Sequence, residues 1–145
     1  MPRYFAYGSN MNLGRLTARV GKVEVVGTAT LTGYRHLFNK LGSDGTAKGN
    51  VEVEPSGMVW GVLYSVSYRQ LEVLDAHEGG YNRLDIRVAL SCGARFAAMT
   101  YRSRKTDPRL RPTPEYLQHY LVGAAQHELP EDYMRAILPP WYRRE

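Results

Sequence analysis

Glu78 is the residue whose type and position best support acid–base chemistry. Leu71, Leu74 and Glu78 fall at i, i+3 and i+7, so on a helix the carboxylate shares a stripe with two leucines that face a core. Desolvation there, and the negative end of the helix dipole, both disfavour the charged form and push its pKa upward. A carboxylate so shifted can take and return a proton near neutral pH. A structural reading competes, because Asp75 lies near the same stripe and the chain can turn outward at Gly79. Glu72 projects toward solvent, and Asp85 and Arg87 share one strand face as a structural pair.

The second chemical feature is Tyr4-Phe5-Ala6-Tyr7-Gly8-Ser9-Asn10, an apolar strand running into a small, backbone-exposing turn. Met11-Asn12-Leu13-Gly14-Arg15-Leu16 follows, with apolar positions that support a helix. Strand, glycine turn and helix start together leave several N–H groups unpaired and facing one way, which is the physics of an anion seat. The plainer alternative is an ordinary strand-to-helix connection with Ser9, Asn10 or Asn12 as the N-cap.

Other chemistries find less support. His36, His77, His119 and His127 show no metal-ligand spacing, and the single cysteine, Cys92, cannot complete a zinc site, so no metal is expected. Ser9 lacks the Gly-x-Ser-x-Gly setting of a nucleophile, and Cys92 has no base near it in sequence. Neither a Gly-x-Gly-x-x-Gly nor a Walker loop is present, so nucleotide binding is not indicated.

The elements that must position these groups are mostly strands in the first two thirds of the chain. Runs at 3–7, 23–31, 34–38, 50–54, 58–66, 81–90 and 95–101 are rich in β-branched and aromatic residues, which predicts six to seven strands in a closed or nearly closed sheet. Residues 41–49 form the most flexible-looking segment, either a mobile cover over a site or disorder without a role. Ser67-Tyr68-Arg69-Gln70 has the form of a capping box, so a helix is expected from there to about His77, ended by Gly79 and Gly80. Thr113-Pro114 opens a second helix, and Pro130 opens a short one that Pro139-Pro140 stops.

At 145 residues the chain fits one domain, 1–145, with no repeat or linker. One cysteine suits a reducing cytoplasm, and no run of residues approaches a membrane span. The net charge of +5, with Arg102, Arg104, Lys105, Arg109 and Arg111 clustered, fits an anionic small substrate as well as it fits nucleic acid. No nucleic-acid partner is expected, since no RNA-recognition motif, zinc finger or basic heptad is present. Trp141 and Tyr142 mark either a subunit contact, as in a homodimer, or a packed tail.

Taken together, Tyr4-Phe5-Ala6-Tyr7-Gly8-Ser9-Asn10, Val59-Trp60-Gly61-Val62, Leu74-Asp75-Ala76-His77-Glu78-Gly79, and Pro114-Glu115-Tyr116 ahead of Gly123-Ala124 and Leu129-Pro130 resemble the γ-glutamylcyclotransferase (AIG2-like) family. The resemblance implies an α+β fold, a small mixed β-barrel with flanking helices, and no metal or cofactor. It implies a substrate loop over Tyr4, Phe5, Ala6, Tyr7, Gly8, Ser9 and Asn10, Glu78 as catalytic acid/base, Tyr116 as a substrate contact and Tyr81 as a pocket wall. The chain departs from the family pattern where Tyr81 follows the Glu-Gly pair almost at once. It departs again at Gly49-Asn50-Val51-Glu52, where the family often has Gly-x-Ala and a small polar residue.

The implied reaction is release of 5-oxoproline from a small γ-glutamyl compound by attack of its α-amine on the γ-carbonyl. The alternative is a catalytically inactive barrel that binds an anion or nucleic acid through its basic face.

Overall fold

Alternation along Tyr4-Phe5-Ala6-Tyr7 sends Phe5 and Tyr7 into one apolar cluster and Tyr4 and Ala6 into another, and this split organises the molecule. In the computed structural model, which describes residues 1–143, five strands close into a barrel. They are β1 (Arg3–Ala6), β2 (Glu24–Leu41), β3 (Ala47–Ser65), β4 (Asn82–Leu90) and β5 (Arg95–Arg102). Around the barrel the order is β1-β3-β2-β4-β5. The closing pair β1–β5 is parallel, with Tyr4 opposite Met99, and the other pairs are antiparallel.

Two expected strand breaks are bulges. The 23–31 and 34–38 runs form one 18-residue strand, and 50–54 and 58–66 form one 19-residue strand. Pairing continues across a register shift between Thr32 and Tyr34, so the ladder bends where composition suggested an end. The 41–49 segment is likewise an ordered hairpin turn. Gly42 N–H donates to Thr46 O at 2.9 Å, and Asp44 accepts from Thr46 and Lys48.

Phe5, Leu31, Val51, Val59, Leu63 and Val88 fill the first cluster, each 2 % exposed or less. The second lies between the strand face carrying Tyr4, Val62, Tyr64 and Tyr101 and the helices. Those helices are α1 (Leu13–Val20), α2 (Tyr68–His77), α3 (Pro114–His127), α4 (Glu131–Ile137) and α5 (Pro140–Arg143). Asn12 caps α1 by accepting from Gly14 and Arg15, and Thr113 caps α3 with Pro114 in its first turn. The capping box of α2 forms as expected: Gln70 N–H donates to Ser67 Oγ at 3.0 Å, and Ser67 N–H to Gln70 Oε1 at 2.9 Å. Gln70 also donates to the carbonyls of Val20 and Lys22, which ties α2 to the end of α1.

Asp85 and Arg87 form no ion pair among the described residues. It is Arg83 that reaches Asp75, at 2.6 Å. Trp141 is 39 % exposed and its ring meets Tyr142 edge-on. Among the described residues no helix is long and apolar enough to cross a membrane.

Candidate active site

The turn after β1 is a 3₁₀ turn, Ser9–Met11, held from its carbonyl side. The Tyr64 hydroxyl lies 3.1 Å from both Asn10 O and Met11 O. The amides of Gly8, Ser9 and Asn10 donate to no group among the described residues, so three donors remain available where the turn borders a cleft. Asn12, and neither Ser9 nor Asn10, is the helix cap. Close approach of α3 fixes the turn: a Cβ at Gly123 would lie 2.5 Å from Met11 Cβ and 2.8 Å from Asn12 N, so only glycine lets the helix cross there.

Glu78 follows the last turn of α2, whose Leu71 and Leu74 are 3 % and 1 % exposed. Its side chain is 14 % exposed and accepts from Asn10 Nδ2 at 3.0 Å. The same Asn10 amide lies 3.1 Å from the Tyr4 hydroxyl, and Arg19 Nη1 lies 3.8 Å from Glu78 Oε1. Burial raises the Glu78 pKa; the Arg19 charge, the Asn10 hydrogen bond and the Lys40 charge oppose that rise without cancelling it. Asp75, the structural competitor, points away to Arg83 and the Tyr101 hydroxyl, which hold its carboxyl below the usual range.

The cleft between these groups has a volume of about 700 Å³, within the range that holds a small ligand. Tyr4, Tyr7, Gly8, Ser9, Asn10, Glu78, Tyr81 and Tyr116 all line it. Phe5 and Ala6 do not: Phe5 is fully buried among the barrel-core residues, and Ala6 packs beneath the helices.

Tyr81 and Tyr116 meet on the backbone of one residue, Gly49. Tyr116 Oη accepts from Gly49 N–H at 2.8 Å, and Tyr81 Oη donates to Gly49 O at 2.6 Å. A side chain at Gly49 would collide with the Tyr120 hydroxyl, so the close approach requires glycine. Behind it, Tyr120 and His36 Nε2 lie 2.7 Å apart, and burial keeps His36 neutral by pushing its pKa down to about 3.

Sequence reasoning missed the cations of the cleft except Lys105, which it placed in a basic cluster. Arg15, Arg19, Lys40, Lys48 and Lys105 line it, against the carboxylates of Glu78 and Asp44. The i, i+4 spacing of Arg15 and Arg19, and the symmetric placing of Lys40 and Lys48 about Asp44, were the available signals. Lys40 is 5 % exposed and donates to Gly79 O at 2.7 Å. Its ammonium and that of Lys48 each sit 4.7 Å over an aromatic ring, those of Tyr81 and Tyr116 respectively. Among the described residues no cluster of His, Cys, Asp and Glu is arranged to hold a metal ion.

Comparison with known proteins bears on the family and the fold. The AIG2-like family model matches residues 58–137. Gamma-glutamylcyclotransferase of Homo sapiens is 28% identical over 151 residues, covering 96% of this chain and 80% of the relative. The Bos taurus protein of the same name is 27% identical over 143 residues, covering 92% of this chain and 76% of the relative. A solved gamma-glutamyl cyclotransferase structure superposes with a TM-score of 0.86 at 26% identity, over 94% of this chain and 88% of that one. YkqA from Bacillus subtilis superposes with a TM-score of 0.80 at 25% identity, over 93% of this chain and 52% of that one. The chain belongs to the AIG2-like family and has the barrel fold of the solved gamma-glutamyl cyclotransferase.

Proposed function

We propose that this protein is a γ-glutamylcyclotransferase-type enzyme that releases 5-oxoproline from a small γ-glutamyl compound. The observation that carries the reading is Glu78: a largely buried carboxylate of raised pKa, hydrogen-bonded to the turn whose free amides border the same cleft.

The α-amine of a γ-glutamyl group can reach its own γ-carbonyl to close a five-membered ring. Holding the two ends together is worth several kcal/mol, roughly 7–11 at most. The amine nitrogen forms the new C–N bond, and the bond to the departing nitrogen breaks. Glu78 takes the proton from the attacking amine and hands it to the departing one, so the exchange needs no outside nucleophile. The amides of Gly8, Ser9 and Asn10 supply donors for negative charge, either the α-carboxylate or the developing oxyanion. Tyr4, Tyr81 and Tyr116 wall the cleft, and the cations around it favour an anionic substrate.

A mass-spectrometric screen for 5-oxoproline over γ-glutamyl amino acids, γ-glutamyl amines and glutathione, with no added metal or nucleotide, tests the reading. Release from at least one compound, abolished by Glu78→Gln, is the expected result. Silence across the panel, together with salt-sensitive nucleic-acid binding indifferent to Glu78→Gln, would establish the inactive binding module instead.

A further inference from the structure

One wall of the cleft concentrates positive charge beyond what the reaction above uses. Lys40 and Lys48 are direct cross-strand partners in the β2–β3 ladder. Like charges so placed destabilise a hairpin. A third lysine is brought to them by the main chain, where Leu41 N–H donates to Lys105 O at 2.9 Å and Lys40 bridges to Thr106. Lys40 and Lys105 both flank Gly80, since a Cβ there would lie 3.1 Å from Lys40 Nζ and 3.8 Å from Lys105 Cδ. Asp44 answers Lys48 at 3.2 Å, and Arg19 answers Glu78 across the cleft. The Lys105 ammonium has no partner among the described residues, and Lys40 uses one of its three donors. With Asp44 set against the three lysines, the wall keeps an excess of two positive charges.

We propose that Lys40, Lys48 and Lys105 form a second anion subsite, selecting a departing amino acid that carries an anionic side chain as well as its own carboxylate. The inference rests on the cyclotransferase reading and adds the chemical class of the departing half. Two negative charges there match the excess on the wall and relieve the repulsion between Lys40 and Lys48. The cations lie inside a cleft that also holds Glu78, which suits a small dianion better than a polymer track.

The test is initial-rate kinetics of the purified protein on γ-glutamyl-glutamate and γ-glutamyl-O-phosphoserine, set against γ-glutamyl-glutamine and γ-glutamyl-alanine. The two acidic compounds separate a carboxylate from a phosphate as the preferred side-chain anion. KM for at least one of them is expected about tenfold below that of the neutral pair, with similar kcat. Lys105→Gln, and independently Lys48→Gln, should bring that ratio toward one, while Lys105→Arg keeps it. Release of 5-oxoproline with equal KM for acidic and neutral compounds, or a preference that survives both Gln variants, overturns the second subsite and leaves the cyclotransferase reading standing. Absence of 5-oxoproline from all four compounds and from the wider screen overturns both.

Discussion

The side-chain amide of Asn10 donates to the carboxylate of Glu78 at 3.0 Å, joining the turn after the first strand to the end of α2 across 68 residues of chain. The same nitrogen reaches the Tyr4 hydroxyl at 3.1 Å. One amide thus fixes the orientation of the proton-carrying group relative to the free main-chain donors. Loss of this link in Asn10→Ala removes a hydrogen bond to the charged form of Glu78 and so raises its pKa further. A general base is active while ionised, so the acid limb of the kcat/KM profile should move to higher pH. Arg19→Gln should move it the same way, because the Arg19 charge is the largest of the effects that oppose desolvation. A pH–rate profile of each variant checks the direction.

Glu78→Gln keeps the shape of the side chain and removes the proton exchange. Turnover should fall by about 10²–10⁴-fold, measured as 5-oxoproline released per enzyme, with the circular dichroism spectrum unchanged.

The same variant carries a stability prediction whose sign follows from linkage. A carboxylate with a folded pKa above its unfolded value binds protons more tightly in the native state. Native stability therefore falls as pH rises from the unfolded value through the folded one, and the ionised group remains a burden above that window. Glu78→Gln should consequently melt at or above the wild-type temperature at pH 7, with the difference closing on acidification. Differential scanning calorimetry at several pH values measures it.

Asp75 should behave in the opposite sense. Arg83 and Tyr101 depress its folded pKa, so its contribution is present above the unfolded value and is lost as pH falls through the folded one. Both partners of the ion pair are about half exposed, which limits the loss in Asp75→Asn to about 1 kcal/mol in urea denaturation at pH 7.

Tyr116→Phe leaves the buried Gly49 N–H without an acceptor, which should cost about 1–3 kcal/mol of stability. Tyr81→Phe unpairs the carbonyl of the same residue. Because both hydroxyls hold the backbone of the same residue, the double variant should be non-additive in a denaturation cycle. Ser9→Ala, by contrast, removes only an acceptor from Arg15 and leaves the main-chain donors in place, so its effect on kcat/KM should stay within about fivefold.

What the sequence determined was local. The Ser67–Gln70 capping box and the Leu71, Leu74, Glu78 stripe set the start of α2 and the inward direction of the residue that follows its last turn, because caps and helical period depend on neighbours a few positions apart. The apolar strand and exposed amides around Gly8 were legible for the same reason. Only tertiary structure decided which residues of the opening segment reach the cleft: Tyr4 from one strand face and Tyr7 just past the strand end do, and Phe5 does not. It also made Asn10 the partner of Glu78, merged expected strands through bulges into two long ones, and gathered cations from α1, the β2–β3 hairpin and the segment after β5. Register and barrel closure couple residues tens of positions apart, and no local periodicity encodes which charges such closure will bring face to face.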